Sequence, residues 1–238
     1  MSNSVYAALT RQSGLWQEMQ SVANNIANSS TTGFRSEGLV FAEYIRSTGP
    51  ENPSISMATA GAHATDYTQG VLSETGGTFD FAVEGEGFFQ IETPAGLRLT
   101  RAGSFTPTPA GQLVTPDGYP LLDQGGAPVF VPGNAASISV APDGTMSADG
   151  VPVAQIGLFI PAEGAEIRRE DGVRFQVDGP LNPADQASVL QGFLEGSNVD
   201  PVAQVARMIE VQRAYEMGQS FLEKEDERLR SIMTLMRN

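Results

Sequence analysis

Apolar residues near the amino terminus recur at alternating spacings of four and three residues. The positions of this N-terminal seam are Val5, Leu9, Gln12, Trp16, Met19, Ala23 and Ile26. Such a heptad spacing, broken only by the glutamine, predicts a helix with one apolar seam. Short polar side chains and a glycine follow at residues 28–33, where they compete for backbone hydrogen bonds and allow a left-handed cap. The helix is therefore expected to end near residues 27–30.

A longer stripe lies at the carboxyl end. Asp200 followed by Pro201 predicts a helix start, because aspartate caps a helix and proline loses no hydrogen bond at the first position. The positions of this C-terminal seam are Val205, Met208, Gln212, Tyr215, Gln219, Leu222, Asp226, Leu229, Met233 and Met236. Gly218 is the only glycine or proline after Pro201, so more than 30 residues can form one helix. That length favours a coiled coil over a helix of a domain core.

The middle of the chain predicts β structure. Short apolar runs lie at residues 79–83, 88–91, 97–100, 129–131, 138–140, 156–160 and 173–177. Asp-Gly pairs that begin at residues 117, 143, 149 and 171 separate several of these runs. Strand-length runs divided by such turns are typical of a compact all-β domain.

The order of these elements predicts an α+β fold in several parts. N- and C-terminal helices are expected to pair as a coiled coil, beside a central all-β domain. The expected boundaries are an N-terminal helix at 1–32, an extended connector with at most one strand at 33–78, an all-β domain at 79–185, and a return segment with a long helix at 186–238.

Burial of the seams requires partners. Five members of the C-terminal seam, from Met208 to Met236, lie seven residues apart, and burying all five would contribute roughly 8 to 15 kcal/mol. Pairing the two helices still leaves one face of each uncovered, which implies further copies of the same or related chains. The alternative is two ordinary amphipathic helices on their own β domain, with Trp16 and Tyr215 as core residues. The polar seam residues either set register and partner number or remain in water.

Charge and composition narrow the function classes. The formal net charge is −14, and Lys224 is the single lysine, so phosphate backbones would be repelled and nucleic acid is not an expected partner. The absence of cysteine excludes disulfides and thiol nucleophiles. Arg11, Gln12, Gln17 and Glu18 interrupt the first apolar segment, and no run of 18 apolar residues occurs elsewhere. Neither a cleaved signal peptide nor membrane insertion is expected.

The sequence predicts no catalytic residue, no metal ligand and no cofactor. His63 is the only histidine, so a His-rich metal site cannot be built and an exposed position is expected. Gly85-Glu86-Gly87 lacks the lysine and the helix that follow a phosphate-binding loop, and is interpreted as a tight turn. Carboxylates are abundant, but no pair stands out as an acid and base.

Three blocks of sequence resemble the axial proteins of the bacterial flagellum, which form its rod and hook. The first is ANNIAN at 23–28 with TTGFR at 31–35. The second comprises QGVL at 69–72, FDFAVEGEGFF at 79–89, LTRAGSF at 99–105 and GQLVT at 111–115. The third comprises QGFLEGSNV at 191–199 and MIEVQRAYE at 208–216. The blocks occur in the family's order, whereas Ser30 departs from its pattern and residues 124–185 match no motif of it.

The resemblance singles out two sets of residues. The assembly residues are Val5, Leu9, Trp16, Met19, Ala23 and Ile26 in the N-terminal helix, and Val205, Met208, Tyr215, Leu222, Leu229, Met233 and Met236 in the C-terminal helix. The family-motif residues are Asn24, Asn25, Asn28, Thr32, Gly33, Phe34, Gly70, Asp80, Gly85, Gly87, Phe88, Phe89, Thr100, Arg101, Gly103, Phe105, Gln191, Gly192, Glu195, Ser197, Asn198, Gln212 and Arg213.

What the resemblance implies is a structural subunit of the basal-body rod, most similar to proximal rod subunits. Its partners would be copies of itself and other flagellar rod subunits, and the flagellar type III export apparatus in transit. It would be exported without a cleaved signal and would polymerise in the periplasm into a shaft that surrounds the export channel and transmits torque. Distal rod or hook subunits, a secreted β-domain hydrolase with helical oligomerisation ends, and a coiled-coil stalk with a binding head are the alternatives.

Overall fold

The computed structural model of the protein describes residues 3–46 and 55–237. Two compact units form from interleaved segments of the chain. The helical unit is drawn from residues 1–29, 36–67 and 199–238, and the β unit from residues 30–35 and 68–198. A helix at each end and mostly β structure between them confirm the predicted order of elements.

Both predicted helices are present in the helical unit. Helix α1 spans Asn3–Ala27 and helix α2 spans Pro201–Arg237. The Asp200 carboxylate accepts hydrogen bonds from the backbone N–H groups of Val202 and Ala203, at 2.9 and 3.1 Å, so α2 begins at the predicted cap. No helix in the described residues is both long and apolar enough to cross a membrane.

A β-hairpin completes the helical unit. Strand β1 (Glu37–Arg46) pairs antiparallel with strand β2 (Ile55–Thr65), with a register shift between Val40 and Phe41. The segment expected as an extended connector, 33–78, thus contains two long paired strands, while its residues 47–54 lie outside the described residues. Interstrand pairing compensates for the weak hydrophobic period of these residues, because backbone hydrogen bonds do not require apolar side chains.

The β unit contains fifteen strands within the described residues. They are β3 (Leu72–Glu74), β4 (Phe81–Glu84), β5 (Phe88–Thr93), β6 (Gly96–Thr100), β7 (Thr106–Pro107), β8 (Leu113–Val114), β9 (Ile138–Val140), β10 (Thr145–Ala148), β11 (Val151–Gln155), β12 (Leu158–Pro161), β13 (Glu166–Asp171), β14 (Arg174–Asp178), β15 (Leu181–Pro183), β16 (Ser188–Gln191) and β17 (Phe193–Glu195).

An antiparallel sheet of six strands organises the β unit. Its order is β13-β14-β6-β5-β12-β15, and β11-β10-β9 form a smaller sheet. Both faces of β5 are covered, since Phe89 and Ile91 belong to the main core and Phe88 packs with Leu99 and Phe175 in a second cluster. A strand buried on both faces has a nearly continuous apolar run, which is the pattern of residues 88–91 apart from the buried Gln90.

One predicted strand is not regular in the structure. Residues 129–131 form only an isolated bridge between Phe130 and Gln112. The backbone N–H groups of Val129 and Val131 still donate to the carbonyls of Leu121 and Gly111, at 2.8 and 2.7 Å. Their apolar side chains are buried because the segment crosses the core, although too few consecutive pairs form to make a strand.

Candidate assembly interface

Helices α1 and α2 pack against each other as an antiparallel pair. Gln12 contacts Tyr215, whereas Glu18, farther along α1, contacts Arg207, which lies earlier in α2. The Arg207 guanidinium donates to the Glu18 carboxylate at 2.7 Å, and this hydrogen bond raises the pKa of Arg207. Polar side chains therefore fix the register of the helix pair.

Asn25 ties α1 to the first residue of β1. Its side-chain amide donates to the Glu37 carbonyl at 2.8 Å, and its carbonyl oxygen accepts from the Glu37 N–H at 2.9 Å. Ser21 donates to the same carbonyl at 3.1 Å. A buried amide that satisfies both backbone groups of one residue fixes the position of the hairpin on α1. This gives a motif asparagine a structural role.

The contact between the helices includes some seam residues, since Gln12 and Trp16 of α1 both lie against Tyr215 of α2, but its most buried apolar residues lie off the seams. The most deeply buried apolar helix residues are Val22 and Val211, and neither belongs to a seam. Of the predicted assembly residues, Leu9, Trp16, Ala23, Val205 and Met233 are exposed, and Val5, Met19, Ile26, Met208, Tyr215 and Leu222 are half-buried. The side chains of Leu229 and Met236 lie outside the described part of the structure. Trp16, 51% exposed, borders Tyr215 with ring centroids 6.3 Å apart.

Much of the helix surface is apolar and in contact with solvent. We call this set the outer apolar surface; it consists of Leu9, Trp16, Val202, Val205, Ile209, Met217, Phe221, Ile232, Met233 and Leu235. Single exposed apolar residues are ordinary, but a set of this size along two helices is typical of an interaction surface.

In the β unit, residues from all three motif blocks meet at a buried ion cluster. Glu195, fully buried, pairs with Arg35 at 2.6 Å through one carboxylate oxygen and with Arg101 at 3.0 Å through the other. The backbone N–H of Gly70 donates to the same carboxylate at 3.0 Å. The two arginines are also almost completely buried. We call Arg35, Arg101 and Glu195 the motif cluster.

Backbone acceptors and aromatic rings surround the motif cluster. Arg101 donates to the carbonyls of Val83 and Gly85, at 3.2 and 2.7 Å, and its guanidinium lies 5.2 Å from the centre of the Phe88 ring. Burial lowers the pKa of Arg101, and the charge of Glu195 is the largest effect opposing that shift. The buried carboxylate thus offsets part of the free-energy cost of removing the guanidinium charge from water.

The segment Gly33-Phe34 fits closely beside this cluster. Gly33 has a φ of +71°, and a Cβ there would lie 2.3 Å from the backbone nitrogen of Ala102. Its N–H donates to the Glu195 carbonyl at 2.7 Å. The Phe34 ring is fully buried, with the Arg169 guanidinium 4.6 Å from its centre. Glycine is required here by both backbone conformation and space.

Other motif residues make separate local contacts. Asn28 donates to the Asn24 side chain and backbone, each at 2.9 Å, at the end of α1. The Gln191 amide accepts from the Val140 N–H at 3.0 Å and donates to the Thr78 carbonyl at 2.9 Å. On α2, Gln212 bonds only Glu216 one turn away among the described residues, and Arg213 is exposed. These residues do not join the motif cluster.

Sequence reasoning missed several residues that hold the structure together. Glu18 and Arg207 form the ion pair between the helices, but single charges on a helix carry no signal of their partner. Arg169, which donates to the Arg35 carbonyl, lies in the segment that matched no motif. Arg35 belonged to the quoted TTGFR block but was not singled out. The sequence gives no local sign that Arg35 is buried. Its role becomes visible only once Glu195, distant in the sequence, is identified as the carboxylate that pairs with it.

No group of three or more histidine, aspartate or glutamate side chains in the described residues is arranged to hold a metal ion. His63 is exposed, with its Nδ1 3.9 Å from a Glu37 carboxylate oxygen.

Family models match three separate parts of the chain. Residues 6–35 match the flagella basal body rod protein model, residues 82–148 the flagellar hook protein FlgE/F/G D1 domain, and residues 190–235 the flagellar basal body rod FlgEFG protein C-terminal model. These ranges contain the three sequence blocks in whole or in large part.

Curated relatives match almost the full chain. The flagellar basal-body rod protein FlgF of Caulobacter vibrioides is 36% identical, over 98% of this chain and 97% of its own length. The FlgF protein of Mesorhizobium japonicum is 37% identical over 91% of this chain and 90% of its own length. The rod protein FlgG of Bacillus subtilis is 29% identical over the whole of both chains.

Proposed function

The chain belongs to the flagellar basal-body rod protein family, as an F-type structural subunit of the proximal rod, and we propose that it polymerises through its helical unit. It acts in the flagellar basal body and is not an enzyme, in keeping with the rod proteins that it matches. In this proposal copies of the chain and other rod subunits cover the outer apolar surface.

The exposure of that surface is the observation that carries the proposal. Val202, Met217 and Leu235 are each at least 66% exposed, and burying these three alone would contribute roughly 4 to 9 kcal/mol. In the structure α1 packs on α2 without burying these three side chains. Assembly is the favourable way to remove them from water.

The half-buried members of the seams are the proposed sites of coiled-coil packing between chains. Met208, Tyr215 and Leu222 lie seven residues apart on α2 and are only partly covered. A neighbouring helix that packs along them would complete the heptad seam. Contacts between unlike faces of successive copies do not close, so they generate an open helical array rather than a ring.

Transit and location complete the proposal. The chain passes through the type III export apparatus unfolded and without a cleaved signal, and assembles in the periplasm. Residues 1–32 and 186–238 are proposed as the inner core of the rod, 33–78 as the connecting segment, and 79–185 as the outer domain. The buried ion pairs of the motif cluster support a stiff β unit, which suits a shaft that transmits torque.

The test replaces exposed seam residues and follows the chain into basal bodies. A variant with Trp16→Glu and Met233→Glu should fold but be missing from isolated basal bodies, and its cells should not swim. Val151→Glu, the same change at an exposed valine of the β unit, is the matched control and should be incorporated. Normal swimming and normal incorporation of the double variant would contradict assembly through these helices.

A further inference from the structure

A pocket opens in the β unit beside the turn at residues 31–32. Its volume is about 340 Å³, which lies within the range of sites for small organic ligands. Every residue that lines it belongs to the β unit. We call it the hydroxyl pocket, because five of its lining side chains are those of threonine or serine.

The hydroxyl side chains of the pocket come from the sequence blocks that carry the family resemblance. Thr32 belongs to TTGFR, Thr100 and Ser104 belong to LTRAGSF, and Thr115 belongs to GQLVT. The motif cluster accounts for the arginines of these blocks, but it does not include their hydroxyl groups. The blocks therefore contain a set of polar side chains whose presence ion pairing does not explain.

The hydrogen-bonding capacity of these hydroxyl groups is only partly used. Thr100 and Thr115 are 1% and 8% exposed, and they accept hydrogen bonds from the backbone N–H groups two and four residues later, at 3.0 and 3.2 Å. Neither hydroxyl donates to an acceptor within residues 3–46 and 55–237. In the same part of the chain the hydroxyl groups of Thr32 and Ser104 make no hydrogen bond. Because each hydroxyl carries one donor and two acceptor sites, the O–H donors of all four side chains remain for a bound molecule.

The charged groups at the pocket disfavour an anionic ligand. The Nε of Arg174 donates to the Asp171 carboxylate at 2.9 Å, and a terminal nitrogen of Arg174 lies 3.5 Å from Oδ2 of Asp117. The protein itself therefore neutralises this arginine. Asp117 lines the pocket and is 69% exposed, so its carboxylate oxygens can accept hydrogen bonds from a ligand. The net charge of −14 adds to the repulsion of anions.

Apolar side chains form another part of the lining. Ile91, Ala102 and Val173 belong to it, and Ile91 is fixed in the main core. A ligand that fits must present carbon atoms to these side chains, oxygen atoms to the serine and threonine hydroxyls, and O–H groups to Asp117. A pyranose sugar has this chemistry, because C–H groups lie on the faces of its ring and hydroxyl groups surround the edge.

We propose that the hydroxyl pocket binds a neutral saccharide unit. Thr32 and Ser104, which are half-buried, donate hydrogen bonds to sugar oxygen atoms, and Asp117 accepts hydrogen bonds from sugar hydroxyls. The proposal goes beyond assembly through the helical unit and does not depend on it, since the pocket lies within the β unit.

Titration of the full-length chain, measured by calorimetry and by amide NMR, tests the proposal. The probes are two neutral sugars, the glucose tetramer cellotetraose and the N-acetylglucosamine tetramer chitotetraose, and the anionic sugar tetragalacturonate. We expect at least one neutral tetramer to bind with saturation and to shift the amide signals of residues 100–104 and 115–117. Tetragalacturonate should bind at least about tenfold more weakly, because its carboxylates meet an acidic chain.

Failure of both neutral tetramers to bind would overturn the proposal. Signal shifts confined to residues outside the pocket would also overturn it, because binding would then occur elsewhere. Equal binding of tetragalacturonate would contradict the charge argument on which the choice of a neutral ligand depends.

Substitutions locate the binding to individual side chains. Thr32→Val and Ser104→Ala remove hydroxyl groups that have no hydrogen-bond partner among the described residues, so the urea midpoint should stay unchanged. Each should weaken binding of the neutral tetramer by about threefold to tenfold, the effect of one lost hydrogen bond. Asp117→Ala should weaken it by about tenfold or more, because the lost acceptor is charged.

Ser139→Ala is the matched control for the loss of a hydroxyl group. Ser139 is exposed on β9 and does not line the pocket, so its replacement should leave the affinity unchanged. Wild-type affinity in all three pocket variants would overturn the proposal. Equal weakening by Ser139→Ala would overturn it as well, since the effect would not be specific to the pocket.

Discussion

Replacing Glu195 by glutamine would leave two buried guanidinium groups without their shared carboxylate. Glu195 pairs with Arg35 and Arg101, and all three side chains are at most 4% exposed. Glutamine has nearly the same shape and can still accept the hydrogen bond from the Gly70 N–H. The substitution therefore removes the negative charge and also replaces one acceptor oxygen by an NH2 group that cannot accept from the arginine facing it.

The expected loss of stability is large. Removing one partner of a buried ion pair costs about 3 to 5 kcal/mol, because the remaining charge stays out of water. Burial lowers the pKa of Arg101, and the charge of Glu195, 3.0 Å away, is the largest effect that opposes this shift. For a unit of this size each kcal/mol lowers the melting temperature by about 3 °C, so we expect a fall of at least about 10 °C.

Calorimetry of the full-length chain, and its urea denaturation monitored by circular dichroism, measure this loss. Glu166→Gln is the matched control, because Glu166 pairs with Arg168 at the surface, where both side chains are more than 60% exposed. That change should cost less than about 1 kcal/mol.

A loss below about 1 kcal/mol for Glu195→Gln would refute the reasoning. It would mean that water or backbone carbonyls neutralise the two arginines without a carboxylate. A large loss for both variants would show that the method does not separate buried from surface pairs.

Three further predictions concern other parts of the molecule. Gly33→Ala should cost at least about 2 kcal/mol in urea denaturation, because alanine is strained at a φ of +71° and its Cβ would meet the backbone of Ala102; an unchanged midpoint would contradict this. Hydrogen bonds from backbone N–H groups lower the pKa of Asp149 in the folded state. The ionised side chain therefore stabilises the folded protein fully above a pH of about 4, and this contribution is lost as the pH falls through the lower folded-state pKa. The stability of Asp149→Asn should converge with that of the wild type only in acid. Fluorescence of Trp16, the single tryptophan, should shift to shorter wavelength on assembly, since its half-exposed ring would leave water; an unchanged spectrum in assembled material would place it outside the interface.

Local sequence signals were sufficient for the helices. The polar segment after Ala27 and the cap at Asp200 act within a few residues. Helix α1 ends at the first of these signals and α2 begins at the second. The strands around Phe88 and Leu99 were likewise visible as apolar runs. The hairpin was not, because most of its side chains are small or polar and its stability depends on pairing between the strands and on packing against α1.

The face that each helix buries was decided by tertiary structure. The heptad spacing marked a stripe through Trp16, which is half exposed, whereas Val22, on a different line along α1, is buried. A period shows that a helix has an apolar side. It does not show which other element of the chain packs against that side.

The sequence by itself determined the order of elements, the ends of the helices and the family to which the motif blocks point, since each of these depends on residues close together in the chain. Only the tertiary structure brought Arg35, Arg101 and Glu195 into one buried cluster and left the apolar side chains of the outer apolar surface exposed. Ion pairs between distant residues, and the surface that remains uncovered after packing, depend on how the whole chain folds back on itself.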